Sequence, residues 1–91
     1  MEAIEMNYDT GIKTIENKAY QYKRFHDRVY YSISDIVNNL SISESLFNNL
    51  TRYKIYEQSE QSNSIKVFLS EQVVIPLIYL GKDFIKQYAK V

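Results

Sequence analysis

YSISDIVNNLSISESLFNNL, Tyr31–Leu50, reads as two short helices joined by a tight turn. Ser34 is placed as the first N-cap, because its hydroxyl can accept an orphan backbone N–H. Asp35 in the first turn favours the positive end of the helix dipole. Ile36, Val37 and Leu40 recur at helical spacing and supply an apolar face. Ser41 and Ile42 make the turn. Ser43 is a second N-cap, with Glu44 behind it and Leu46, Phe47 and Leu50 as the next apolar face. Two capped helices so closely joined cross steeply, which is helix-turn-helix geometry.

Upstream, Met1–Tyr8 is short and mixed, and Asp9-Thr10-Gly11 carries a turn signal. From Lys18 to Ile33, Tyr20 and Tyr22 alternate with polar partners, as do Val29, Tyr31 and Ile33, and period two means strand. His26-Asp27-Arg28 between them is the expected hairpin loop. Downstream, EQSEQSNS (Glu57–Ser64) lacks apolar residues and fits a hairpin tip between Tyr53–Tyr56 and the alternating Ile65, Val67 and Leu69. Ser70-Glu71 offers a helix start, but Pro76 is best accommodated in a first turn. The last helix is therefore expected within 70–91 with its undisturbed part from Pro76 to Tyr88, Gly81 weakening the middle. The expected fold is α+β: a winged helix-turn-helix with an additional N-terminal β-hairpin. It forms a single domain over 1–91, divided into a hairpin region (1–33), a helix-turn-helix (34–52), a wing (53–69) and a C-terminal helix (70–91).

Ninety-one residues with 45% hydrophobic and 24% charged content suit one small globular domain. No cysteine is present, which excludes disulfides and cysteine-ligated zinc and fits a reducing compartment. No apolar run is long enough to span a bilayer, and the start of the chain has acids where a signal peptide has bases. A cytoplasmic protein without membrane contact is expected. Eleven basic and eleven acidic residues give zero net charge, whereas a strong nonspecific nucleic-acid binder is usually basic. Richness in Ile, Asn, Lys and Tyr fits AT-rich coding, as in a low-GC bacterium, its phages or its plasmids.

No catalytic constellation stands out, and an enzyme is not expected. His26 is the lone histidine and reads as a solvated turn residue; no Gly-rich phosphate loop and no metal-ligand spacing occur. No cofactor and no metal are expected. The second helix instead offers Ser43, Ser45, Asn48, Asn49, Thr51, Arg52 and Lys54. Asn can bridge adenine N6 and N7, Arg can bridge guanine O6 and N7, and Ser, Thr and Lys more often hold phosphates. The bland alternative is a solvated helix face with Arg52 and Lys54 complementing the helix dipole. Lys23, Arg24 and Arg28 form a further basic group on the first hairpin.

The run Tyr31-Ser32-Ile33, Asp35-Ile36-Val37, Leu40 and Ile42-Ser43-Glu44-Ser45-Leu46-Phe47 resembles the winged helix-turn-helix of the MerR and phage-excisionase superfamily. The basic-aromatic segment that closes that family's wing is echoed by Lys66-Val67-Phe68-Leu69-Ser70-Glu71. The resemblance implies that Lys66 joins the DNA contacts. Departures are Val37 for a small residue, Ser41 for a turn glycine and Asn48 for an arginine. The thirty residues ahead of the motif are more similar to BRO-N and KilA-N domains of phage antirepressors. Either resemblance implies sequence-specific binding of double-stranded DNA by a small transcriptional regulator or recombination directionality factor of a bacterium, phage or plasmid. The alternative is a phage- or plasmid-encoded interaction module or inhibitor that keeps the frame but binds a protein. A homodimer, formed through Tyr79, Phe84 and Tyr88 of the last helix, is a further expected partner arrangement.

Overall fold

The computed structural model describes residues 10–58 and 63–85. The protein is α+β. Its strands are β1 (Thr10–Ile15), β2 (Lys18–Phe25), β3 (Arg28–Ser32), β4 (Lys54–Gln58) and β5 (Ile65–Ser70). They form one antiparallel sheet in the order β1-β2-β3-β5-β4. Two α-helices, α1 (Ile33–Leu40) and α2 (Glu71–Leu80), join it. Short 3₁₀ turns occupy Glu44–Phe47, Thr51–Tyr53 and Lys82–Ile85. Among the described residues no helix is long and apolar enough to cross a membrane.

The expected N-terminal hairpin is part of a three-stranded meander. Thr10 and Gly11 begin β1 instead of forming a turn; Met1–Asp9 lie outside the described residues. The turn falls at Glu16-Asn17, both with positive φ (51° and 68°), as the two-residue turns that match strand twist require. Gly11 serves close approach instead: a Cβ there would lie 2.9 Å from the Tyr22 hydroxyl. The second loop is only His26-Asp27, again with positive φ at both residues, and Arg28 opens β3.

Ile33, expected in a strand, is the first residue of α1. The cap is Ser32, not Ser34: its hydroxyl accepts the Asp35 N–H at 3.5 Å, while Ser34 is exposed. Ile33 and Ile36, three apart, are both buried, so the apolar stripe begins one residue past Ser32. α1 ends as a Schellman-type turn. Ser41 takes the left-handed conformation (φ 54°), and Ile42 N–H returns to the Val37 carbonyl at 3.3 Å.

β3 pairs with β2 only over Tyr22–Phe25, which leaves the start of β2 without a strand on that side. Side chains of α1 take the strand's place. Asp35 accepts the Gln21 N–H at 2.7 Å, and four residues on Asn39 donates to the Ala19 carbonyl at 2.7 Å. Lys18 in turn donates to the Asn39 carbonyl at 2.7 Å, placing a cation at the helix C-terminus.

One sheet face carries Tyr20, Tyr31 and Leu69, which pack with Ile36, Phe47, Leu50, Val73, Val74 and Leu77. The rings of Tyr20 and Tyr31 meet edge to face at 6.2 Å. Both hydroxyls are buried with no partner at hydrogen-bonding distance among the described residues, and burial pushes both phenols above their ordinary pKa. On the other face Lys23 and Glu57 form a 3.1 Å ion pair spanning from β2 to β4. Phe68, on the same face by alternation, is buried outside the main cluster.

The last helix starts at Glu71 and not at Pro76. Ser70 caps it, accepting the Gln72 N–H at 3.2 Å, and Pro76 lies inside it. One absent backbone bond is outweighed by burial of Val73, Val74 and Leu77 on both sides of the proline. Gly81 (φ 95°) terminates the helix instead of weakening its middle. Of the expected dimer residues, Tyr79 is exposed, Phe84 is half-buried, and Tyr88 lies outside the described residues.

Candidate nucleic-acid interface

The segment from Ser43 to Tyr53 is not the single α-helix expected from its caps and spacing. It folds as two 3₁₀ turns, Glu44–Phe47 and Thr51–Tyr53, with i→i+3 bonds from Leu46 to Ser43 and from Tyr53 to Leu50. The reason is local. Ser, Asn and Thr are weak helix formers that compete for backbone hydrogen bonds, and they fill most of the polar positions. Leu50 leaves the helical region (φ −103°, ψ 37°) between the turns.

Phe47 and Leu50 nevertheless reach the core and are fully buried, with Leu46 half-buried beside them. That anchoring turns the polar residues outward. Ser43, Ser45, Asn48, Asn49, Thr51 and Arg52 are all exposed on this one segment. Ser43 caps the first turn by accepting the Ser45 N–H at 3.2 Å, and the two hydroxyls lie 2.8 Å apart. The side chains of Asn48, Asn49, Thr51 and Arg52 hold no hydrogen bond or ion pair among the described residues, so their donors are available.

The two wing lysines part company. Lys54 is in β4, not on the helical segment, and is half-buried opposite Leu69 on the core side of the sheet. Lys66 is exposed on the other side, facing Glu57 across the strands and donating to Gln21 at 3.3 Å. Alternation along β4 and β5 sends these lysines to opposite faces. Lys66 nevertheless lines a pocket with Glu44, Ser34 and Asp35, so it borders the polar segment at its Glu44 end.

Sequence reading assigned Asp35 only to the helix dipole and passed over Asn39, and so missed that both bond the edge of β2. Their i, i+4 spacing puts both on one helix face, the one signal of a shared partner, but nothing in the sequence says that the partner is a strand edge.

No protein-family model matches the chain, and neither curated proteins nor solved structures contain a match.

Proposed function

We propose that this protein binds double-stranded DNA as a winged-helix-like module of the MerR and excisionase type, acting as a small transcriptional regulator or recombination directionality factor. The observation that carries the reading is the free polar row Asn48, Asn49, Thr51 and Arg52, held outward by buried Phe47 and Leu50. The connectivity supports it. A strand (β3) leads into a helix, a turn, a second helical segment and a hairpin, and the last strand of that hairpin returns to pair with β3. In this reading the row faces the major groove, and the β4–β5 hairpin lies over the flanking backbone.

Fluorescence anisotropy with genomic fragments tests the proposal. Binding is expected at low salt and falls steeply as salt rises. Arg52→Ala weakens it by roughly 1–3 kcal/mol with little effect on folding. Leu50→Ala instead costs roughly 2–5 kcal/mol of stability. Absence of binding at low salt overturns the reading.

A second reading, a module that binds a protein, rests on a different observation. Tyr56 and Ile65 are 59% and 58% exposed on the β4–β5 hairpin, diagonal to one another across the strands. Zero net charge suits it as well. Loss of partner capture on Tyr56→Ala, with DNA binding absent, selects this reading.

A further inference from the structure

The three bases grouped on the first hairpin in the sequence separate in space. Lys23 is held by Glu57. Arg28 shares that face by alternation, since Phe25 pairs with Arg28 and Lys23 with Tyr30. Arg24 projects to the opposite face and is joined there by Lys13 of β1.

Lys13 and Arg24 flank the Gly11–Tyr22 pair diagonally, one on each side of it. Between them lies a groove of about 270 Å³ lined by Ile12, Lys13, Tyr22, Arg24 and Val29. Among the described residues no acidic residue lines it, and neither cation holds an ion pair. The floor is shaped by an absence: because position 11 has no Cβ, the Tyr22 ring lies against the β1 backbone. Two cations beside an aromatic ring, with no carboxylate among the described lining residues, suit an anionic group and not a cation or an apolar ligand.

We propose that this groove holds a phosphate group of a nucleic-acid backbone, gripped by Lys13 and Arg24 over Tyr22. The inference rests on the DNA-binding reading and adds a second contact to it. A row of paired residues runs Gly11–Tyr22–Tyr31–Leu69–Lys54 from one edge of the sheet to the other. At ordinary strand spacing the groove thus lies about 19 Å from Lys54. One nucleic acid held at the groove and at the polar segment that ends next to Lys54 is fixed in orientation, which a single cluster of contacts does not achieve.

The test is a salt series of fluorescence anisotropy on a labelled duplex, comparing wild type, Lys13→Gln and the Lys13→Gln/Arg24→Gln pair. Each lost phosphate contact makes the slope of log affinity against log salt shallower by about 1, so the pair shifts it by about 2. Circular dichroism melting is expected to be unchanged. Wild-type binding with the same slope and affinity in both variants overturns this inference and leaves the proposed function standing. No wild-type binding removes both. In parallel, inorganic phosphate and the duplex are titrated by NMR. Shifts at the Gly11 and Tyr22 amides with both probes support the site, whereas shifts with phosphate alone overturn the nucleic-acid assignment.

Discussion

Asp35 shows how one side chain decides a local fold. Its own N–H is capped by Ser32, while its carboxylate accepts the Gln21 N–H of a strand that has no neighbour there. Asp35→Ala leaves that part-buried N–H unpaired, and a hydrogen bond to a charged acceptor contributes about 1.5–3 kcal/mol. A loss of that size in urea unfolding is expected, with Asn39→Ala smaller because its partner is a neutral carbonyl. Tyr31 makes the opposite case. Its hydroxyl is buried without a partner among the described residues, so Tyr31→Phe removes a desolvated group and costs nothing, or gains about 1 kcal/mol. The same residue sets an alkaline limit. Burial raises its phenol above the ordinary 10.0, and the charges of Glu71 and Tyr22 add to the shift. The unfolded chain therefore loses this proton first. The stabilisation is whole below pH about 10 and is lost as pH rises through the folded value. Urea midpoints at pH 8 and pH 11 are expected to fall less in Tyr31→Phe than in wild type. An equal fall in both removes the assignment.

At the level of elements, the end of α1 holds a residue that its conformation disfavours. Ser41 sits at φ 54°, where a side chain costs roughly 1 kcal/mol and glycine does not. Ser41→Gly is expected to raise stability by about 0.5–1 kcal/mol by thermal or urea unfolding. A loss of stability there contradicts the strain. The sequence already marked this position as a turn by the change of apolar spacing around it, and α1, β2, β3 and β5 were legible for the same reason. Other elements were hidden by particular residues. β1 was masked because Gly11 reads as a turn, although it is there to admit the Tyr22 ring. α2 was cut short because Pro76 reads as a helix start, and only the burial of Val73 and Val74 reveals that the helix begins earlier. The segment after Ser43 has good caps and good apolar spacing, yet its Ser, Asn and Thr content leaves it as 3₁₀ turns. Spacing placed Phe47 and Leu50 inside and the polar row outside, which requires only periodicity. It could not place Lys54 and Lys66 on opposite faces, because that depends on strand register.

At the level of the whole molecule, two locally built pieces meet at one seam. β1, β2 and β3 are joined by two-residue turns, and β4 and β5 pair as neighbours in sequence. Among the described strand pairings, only β3 with β5 brings together distant chain: Tyr30 faces Ser70, Tyr31 faces Leu69, and Ser32 faces Phe68. Closing a loop of that length costs entropy before any contact forms, whereas hairpins with short connections close quickly. The seam is therefore expected to set the folding rate. Leu69→Ala, at the seam, is expected to slow refolding, while Ile15→Ala, in the outermost strand, mainly speeds unfolding. Stopped-flow chevrons distinguish the two, and equal effects on both arms for both variants would refute the order. The seam also joins the strand that precedes α1 to β5, one strand beyond the β4 that follows the polar row. The surface proposed to read DNA thus lies between β3 and the β4–β5 hairpin, and its two ends are brought into register only when that seam closes.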